Sequence, residues 1–406
     1  MRTTALGAFS LLLLVVVAHV LGTPLTSSTR WRCRRHADRC AVLYHAFVPS
    51  NAAAAFPPSP HLLMAAVSAS TLQHAAQSNG SSNSGGGSGA ALPFQVILAT
   101  NAPRAAIERF RSAWIKAAAD DATTGDIAAR SAKTLTKDEA ETFAFVAKSW
   151  DATTMSGSTR KRLPPWPFHD VALYPVETVY TLKAIAFDAT VVAGAPGSNV
   201  ATLSTSPLRF ERTMFLDSDT LVRASVESAF DALMRFDVAA VGELASFSSG
   251  AAFVYGPLLN ASHYYHPHFP AAKKNKKFKP EYKSFAAYEQ QYNTGLVAYR
   301  STAPCVRELI RRWAELHVTN PVCRKDVVAW DQCSFPWALR GSRVRVATLP
   351  ERLNFRRSLG QACSAELQND DKLERAVVVH EVKPGLKALV RLVVAPVLLA
   401  SSRPPS

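Results

Sequence analysis

The chain has 406 residues, of which 48% are hydrophobic, and 46 lysines and arginines against 31 acidic residues give a formal net charge of +15. That length suits one large domain with appendages, and the apolar content excludes a chain disordered throughout. The basic residues are scattered apart from Lys273, Lys274, Lys276, Lys277 and Lys279 and accompany no nucleic-acid-binding motif, which points away from nucleic acid and toward a field that gathers small anions.

Residues 1–22 read as a signal peptide or a signal anchor: Arg2 precedes an apolar stretch from Ala5 to Leu21, interrupted by Gly7, Ser10 and His19. A membrane-spanning helix needs about 20 apolar residues and a signal-peptide core about 7–15. Cleavage after Ala18 or Gly22 and retention as a single-pass membrane anchor both fit. Arg30, Arg32, Arg34 and Arg35 count against a lumenal enzyme on an anchor, because the positive-inside rule favours them in the cytoplasm. The poorly amphipathic Leu/Val run argues against an organellar transit peptide. The expectation is routing into the secretory pathway, to the Golgi or endoplasmic reticulum lumen, membrane-anchored or secreted. Six cysteines (Cys33, Cys40, Cys305, Cys323, Cys333 and Cys363) suit disulfides in an oxidising lumen, and Asn79-Gly80-Ser81 and Asn260-Ala261-Ser262 are sequons of a glycoprotein.

Residues 23–91 read as a low-complexity stem, rich in alanine and proline near Ala52–Pro60 and in serine, glycine and asparagine from Ser78 to Gly89. Order is expected from Phe94–Ala99, an apolar strand running into Thr100-Asn101-Ala102-Pro103. Arg104–Ala119 carries Ile107, Phe110, Trp114 and Ile115 at helical spacing, and Lys137–Trp150 opens on a capping-box pattern, Thr136 to Glu139. A polar connection over 153–167 leads to a helix over Val176–Phe187 and a loop over 188–207. A strand ends at Leu216, a helix follows near Val226–Met234, and Val238–Val241 is a strand. Asn293-Thr294-Gly295 should lead into a strand over Leu296–Tyr299. Helices are expected over Pro304–His317 and Val327–Leu339, and strands near Arg343–Thr348 and Ala376–Val379. Strands alternating with helices indicate an α/β domain with a mostly parallel sheet, whose ligands sit beyond the strands' carboxyl ends. Residues 386–406 read as a packed C-terminal tail rather than a membrane span, since Arg391 and Pro396 interrupt it.

The chemistry-bearing segment is Asp217-Ser218-Asp219, directly after the apolar run Met214-Phe215-Leu216. Two carboxylates one residue apart at a strand's carboxyl end can both reach one hard cation, which takes phosphate oxygens as further ligands. Asn293-Thr294-Gly295, Trp330-Asp331-Gln332 and Val378-Val379-His380, with Lys383-Pro384 just after, complete the set.

In order and context these four segments resemble the GT-A glycosyltransferases, particularly the glycogenin-like and lipopolysaccharide-galactosyltransferase-like group, over residues 92–385. The resemblance implies a Rossmann-like, mostly parallel sheet flanked by helices. It implies a hexosyltransferase that moves a sugar from a nucleotide-diphosphate donor, a UDP-sugar above all, to a glycan, protein or lipid acceptor. Asp217, Asp219 and His380 would hold Mn²⁺ or Mg²⁺, the imidazole favouring manganese, and Asp217 would alternatively contact the donor. Lys383 would face the diphosphate, although its spacing from His380 is shorter than the group's. Thr100, Asn101 and Lys183 would line the nucleotide site, and Asn293 and Gly295 the sugar pocket. Asp331 and Gln332 would lie beneath the anomeric carbon or serve the acceptor hydroxyl.

Two rivals compete. A phosphatase of the haloacid-dehalogenase type would use Asp217 as nucleophile and Asp219 as acid/base, but Leu221 stands where that pattern wants threonine or valine. A catalytically inactive sugar-binding homologue is the other.

Overall fold

Four successive strands point their carboxyl ends at one edge of the molecule, and the computed structural model makes that edge the base of the site. It describes residues 39–50, 55–78, 92–119, 135–154, 163–174, 176, 179, 182, 186, 201–202, 210–242, 292–319, 334–335, 338–339, 342–356, 374–380 and 382–402.

The elements are β1 (Cys40–Ala46), α1 (Pro60–Ser78), β2 (Gln95–Thr100), α2 (Arg104–Ala119), α3 (Lys137–Thr154), β3 (Asp170–Leu173), β4 (Ala201–Thr202), β5 (Arg212–Leu216), β6 (Leu221–Val222) and α4 (Glu227–Ala232). They continue with β7 (Val238–Gly242), β8 (Tyr292–Arg300), α5 (Pro304–Thr319), β9 (Val346–Leu349), β10 (Phe355–Arg356), β11 (Val378–His380), α6 (Lys383–Leu389) and α7 (Ala395–Ser401). Eight strands form one sheet in the order β4-β3-β2-β1-β5-β8-β7-β9, and β10-β11-β6 form a second. In the large sheet β1 runs parallel to β2 and β5, as do β2 to β3 and β7 to β9, while β8 is antiparallel to β5 and β7. The result is a mixed α/β architecture with a mostly parallel central sheet and flanking helices.

The strand at the centre overturns part of the stem reading. β1 and α1 lie inside residues 23–91, yet Cys40, Val42, Tyr44, Ala65, Ala66 and Val67 are fully buried. Averaged over the whole segment, the Ser/Gly-rich tract hid two core elements: Cys-Ala-Val-Leu-Tyr-His-Ala, a mostly apolar run of strand length, and a 19-residue helix that buries Leu62, Leu63, Met64, Val67 and Leu72 among its alanines. The domain therefore begins before β1, not at residue 92. It also runs past 385. Lys383–Leu389, a π-helical turn at Val390–Val394 and Ala395–Ser401 form one continuous helical run. Pro396 has no N–H for the carbonyl four residues back, which explains the wider turn. Length and apolarity would let Lys383–Ser401 cross a membrane, but 67% of it is buried inside the protein. Through Ser402, the last described residue, this run packs largely against the rest of the protein.

Side chains alternate across β1 as strand geometry requires. Ala41 and Leu43 join the cluster around Phe215, Val297, Tyr299 and Trp313. On the opposite face Tyr44 meets α1. The capping box reads as expected: the Thr136 N–H donates to Glu139 Oε2 at 3.1 Å, and the Glu139 N–H to Thr136 Oγ1 at 3.3 Å. Two short segments differ from expectation. Asn293-Thr294-Gly295 lies inside β8 rather than ahead of the strand, and the pairing with β7 shifts register there, Val241 facing Asn293 while Ala240 faces Val297. Ala201–Thr202 pairs antiparallel with β3 inside the expected loop. Of the helix expected over Val176–Phe187, the described residues 179, 182 and 186 are helical, with Leu182 and Ala186 buried.

Candidate metal centre

Three side chains from two segments, the turn between β5 and β6 and the end of β11, meet at the strand-end edge. β1 pairs Ala46 with Thr100 and Tyr44 with Leu216, so Asp217 emerges level with the ends of β1 and β2. β6 pairs antiparallel with β11, Leu221 opposite Val379, which brings His380 beside the Asp217–Asp219 turn. Backbone bonds lock both sides: the Asp217 N–H donates to the Gly295 carbonyl at 3.0 Å, and the Val382 N–H to the Asp219 carbonyl at 3.3 Å.

His380 Nε2 stands 3.4 Å from Asp217 Oδ2 and 3.4 Å from Asp219 Oδ1, and one ligand atom from each residue lies within 4.8 Å of the others. A cation with ligands about 2.2 Å away sets its donor atoms about 3.1 Å apart at right angles and about 4.4 Å apart across. The three donors fit such an ion with little movement. The side chains of Asp217 and Asp219 are 21% and 25% exposed against 9% for His380, so the carboxylates keep an open side for further ligands.

Electrostatics fit the same conclusion. Burial disfavours charge on His380, but the Asp219 carboxylate and hydrogen bonds to both aspartates override it and push the imidazole up to about 10. Burial likewise opposes charge on Asp219, and the His380 cation, with Lys383 further off, overrides it and holds the carboxyl down to about 2. A proton thus occupies the place a divalent cation would take. Exposed Lys383 opens α6, and Gly385 seats that helix: a Cβ there would stand 2.5 Å from the Thr142 carbonyl oxygen on α3.

Several residues that hold this site were not singled out from sequence. A chain of hydroxyls joins Tyr44, Ser68 and Thr220, with Ser68 Oγ 3.2 Å from the Tyr44 hydroxyl and 2.9 Å from Thr220 Oγ1. Thr220 then donates to the Asp217 carbonyl at 2.7 Å, and the Val222 N–H donates to Thr71 Oγ1 at 3.1 Å. Through these bonds α1 braces the turn that carries both carboxylates. Burial pushes the Tyr44 phenol above its ordinary range against the pull of Ser68 and Thr220, so it stays neutral. The available signal was a pair of small polar residues, Ser68 and Thr71, three apart in an otherwise apolar helix. His61, in the first turn of α1, is close enough to Asp219 to feel its charge. Burial, Lys383 and Lys387 hold its imidazole below the ordinary value.

The remaining sequence-predicted residues divide. Thr100 is fully buried at the end of β2, donates to the Ala46 carbonyl at 2.7 Å and accepts the Ala102 N–H at 3.2 Å. Asn101 accepts the Val48 N–H at 2.7 Å and donates to the carbonyls of Val48 at 2.8 Å and Val176 at 3.2 Å. Both polar tips are spent on backbone groups, so they shape the edge rather than offer these atoms to a nucleotide. Asn293 is 2% exposed, and its Oδ1 accepts the Gly295 N–H at 2.8 Å and Asn354 Nδ2 at 2.5 Å. The oxygen expected in the sugar pocket is taken up inside the protein. Gly295 lies directly against His380. Lys183, Asp331 and Gln332 fall outside the described residues. Cys40 is disulfide-bonded and Cys305 is free.

No protein-family model and no curated protein matches the chain. Among solved structures it is similar to the bifunctional glycosyltransferase WbbM in its apo form, with a TM-score of 0.38 and 12% identity over 88% of this chain and 46% of that one. It is similar to the galactosyltransferase LgtC in complex with donor and acceptor sugar analogues, at 0.38 and 11% over 90% of this chain and 98% of that one. Mouse xyloside xylosyltransferase 1, apo form, gives 0.35 and 11% over 84% and 97%. The chain spans about half the length of WbbM and nearly all of the other two. These three solved structures are glycosyltransferases by name.

Proposed function

We propose that the chain is a metal-dependent glycosyltransferase, a hexosyltransferase that moves a sugar from a UDP-sugar to an acceptor hydroxyl on a glycan, protein or lipid in the secretory pathway. The observation that carries this reading is the convergence of Asp217, Asp219 and His380 at the carboxyl edge of a mostly parallel sheet. Two carboxylates and an imidazole suit Mn²⁺ over Mg²⁺, which accepts nitrogen less readily. Bound there, the ion would supply Lewis-acid charge neutralisation for the departing diphosphate. The chain's own residues do the rest. Asp217 and Asp219 hold their places through β5, the Thr220 hydroxyl and the backbone bonds to Gly295 and Val382. Lys383, near enough to depress the Asp219 carboxyl, adds a point charge for phosphate oxygens on the open side. The formal charge of +15 draws the anionic donor toward the protein. Asp331 and Gln332 are proposed to face the anomeric carbon or the acceptor. The Cys40 disulfide supports a lumenal compartment.

Purified protein should hydrolyse or transfer from UDP-sugars with stimulation by Mn²⁺. Phosphate release from phosphomonoesters without nucleotide-sugar turnover would replace this reading with a phosphatase in which Asp217 is the nucleophile. An imidazole lodged between the two carboxylates speaks against that outcome, because it would hold the nucleophile in an ion pair.

A further inference from the structure

Two orphaned polar atoms belong to His380 and to Asn354, residues at adjoining strands. His380 Nδ1 is buried with no hydrogen-bond partner among the described residues, and so is Asn354 Oδ1. Asn354 is 2% exposed and immediately precedes β10, which runs parallel to β11, so it sits two residues behind the level of His380 on the adjoining strand. Buried polar groups in native proteins find partners, and these two are complementary, one a donor and the other an acceptor.

The orientation of every group follows from one backbone N–H. Gly295 N–H can only donate, so the atom of Asn293 that meets it at 2.8 Å is the carbonyl oxygen. Asn354 then turns its amino group to that same oxygen, at 2.5 Å. Both lone pairs of Asn293 Oδ1 are used. The oxygen of Asn354 is left over, with no donor to it among the described residues. His380 must use the Nε2 lone pair for a cation, since Nε2 is the nitrogen facing Asp217 and Asp219. A neutral imidazole that does so carries its proton on Nδ1. Gly295 completes the arrangement: a Cβ there would overlap Nδ1 and Cε1 of His380 and stand 2.9 Å from Asn293 Oδ1, so the ring and the carboxamide pair share one tightly bounded space.

We propose that Asn354 is a positioning residue for the metal ligand: its Oδ1 accepts the His380 Nδ1–H, directly or across one buried water, and so presents Nε2 to a divalent cation. The inference rests on the metal-site reading, because it gives the polar support that orients an imidazole ligand and sets its tautomer. Its occupant is a proton on a named atom, so it can be tested with and without metal.

The test uses the full chain with ¹⁵N-labelled histidine and two variants, Asn354→Ala and Asn354→Asp. The wild type should show a slowly exchanging His380 Nδ1–H resonance, metal or no metal. Asn354→Ala should lose that protection, and its Mn²⁺ affinity, read by titration calorimetry, should fall about tenfold to a hundredfold. Asn354→Asp keeps an acceptor for Nδ1–H but cannot donate to Asn293, so retention of the protected resonance and of affinity within a few-fold supports the proposal. Equal losses in both variants would assign Asn354 a structural tie to Asn293 and overturn it. A rapidly exchanging Nδ1–H in the wild type would overturn it without any variant. A wild type that binds no Mn²⁺ but shows the protected resonance, lost in Asn354→Ala, would sink the metal reading while upholding the Asn354–His380 link.

Discussion

Gly295 lies so close beneath His380 that no side chain can be built there: a Cβ would occupy the space of the imidazole's Nδ1 and Cε1. Only glycine permits that approach, and it fixes where the ring stands relative to the two carboxylates. Gly295→Ala should therefore displace the imidazole and weaken Mn²⁺ binding by at least about tenfold. Calorimetric titration would show this, with the circular dichroism spectrum unchanged.

Asp219→Ala removes both a candidate ligand and the charge that holds the imidazolium. Transferase or UDP-sugar hydrolase activity should drop by about two orders of magnitude or more, given the several kcal/mol a metal supplies. The thermal transition should remain cooperative. Near-normal turnover would remove Asp219 from the site.

The raised His380 and depressed Asp219 make metal uptake and stability depend on pH in opposite senses. Below pH 10 a cation must displace the His380 proton, so Mn²⁺ binding should release about one proton and tighten about tenfold per pH unit through the neutral range. Calorimetry in buffers of different ionisation enthalpy measures that release. Without metal, the His380 contribution to stability is complete below 6.5 and is lost as pH rises through about 10. The Asp219 contribution is complete above 3.8 and is lost as pH falls through about 2. The pair therefore stabilises most between 3.8 and 6.5. The Tm gap between wild type and Asp219→Asn should narrow as pH is raised from that window through 10.

The hydroxyl chain from α1 to the Asp217 carbonyl should behave as a unit. Ser68→Ala and Thr220→Val each leave a buried polar group short of a partner and should cost about 1–3 kcal/mol. The double variant should cost less than the two together, because they share one network. Urea denaturation of the four proteins gives the coupling directly.

A deletion of residues 1–90 removes β1, which sits between β2 and β5, and α1, which braces the Asp217 turn. Such a protein should fail to give soluble, cooperatively folded material. A deletion ending before Cys33, where the compact unit Cys33–Ser406 begins, should fold.

Local pattern was enough to read the strand that ends at Leu216, the amphipathic helices α2 and α5, the capping box at Thr136 and the carboxylate pair Asp217 and Asp219, while His380 entered as a third candidate through the resemblance. All but His380 rest on periodicity, turn chemistry or a carboxylate pair within a few residues. β1 and α1 were missed because a composition average over residues 23–91 is dominated by the Ser/Gly tract, whereas the central strand takes only seven residues, six of them apolar. That Thr100 and Asn101 spend their polar atoms on the backbone, that Asn293 bonds Gly295 and Asn354, and that Ser68 and Gly295 brace the candidate ligands depends on contacts between segments far apart in sequence. Sequence alone determined which groups could ligate a cation, since that is a property of side-chain chemistry. Only the tertiary structure decided which of them meet, because β6 must pair with β11 before an imidazole at residue 380 can reach carboxylates at 217 and 219.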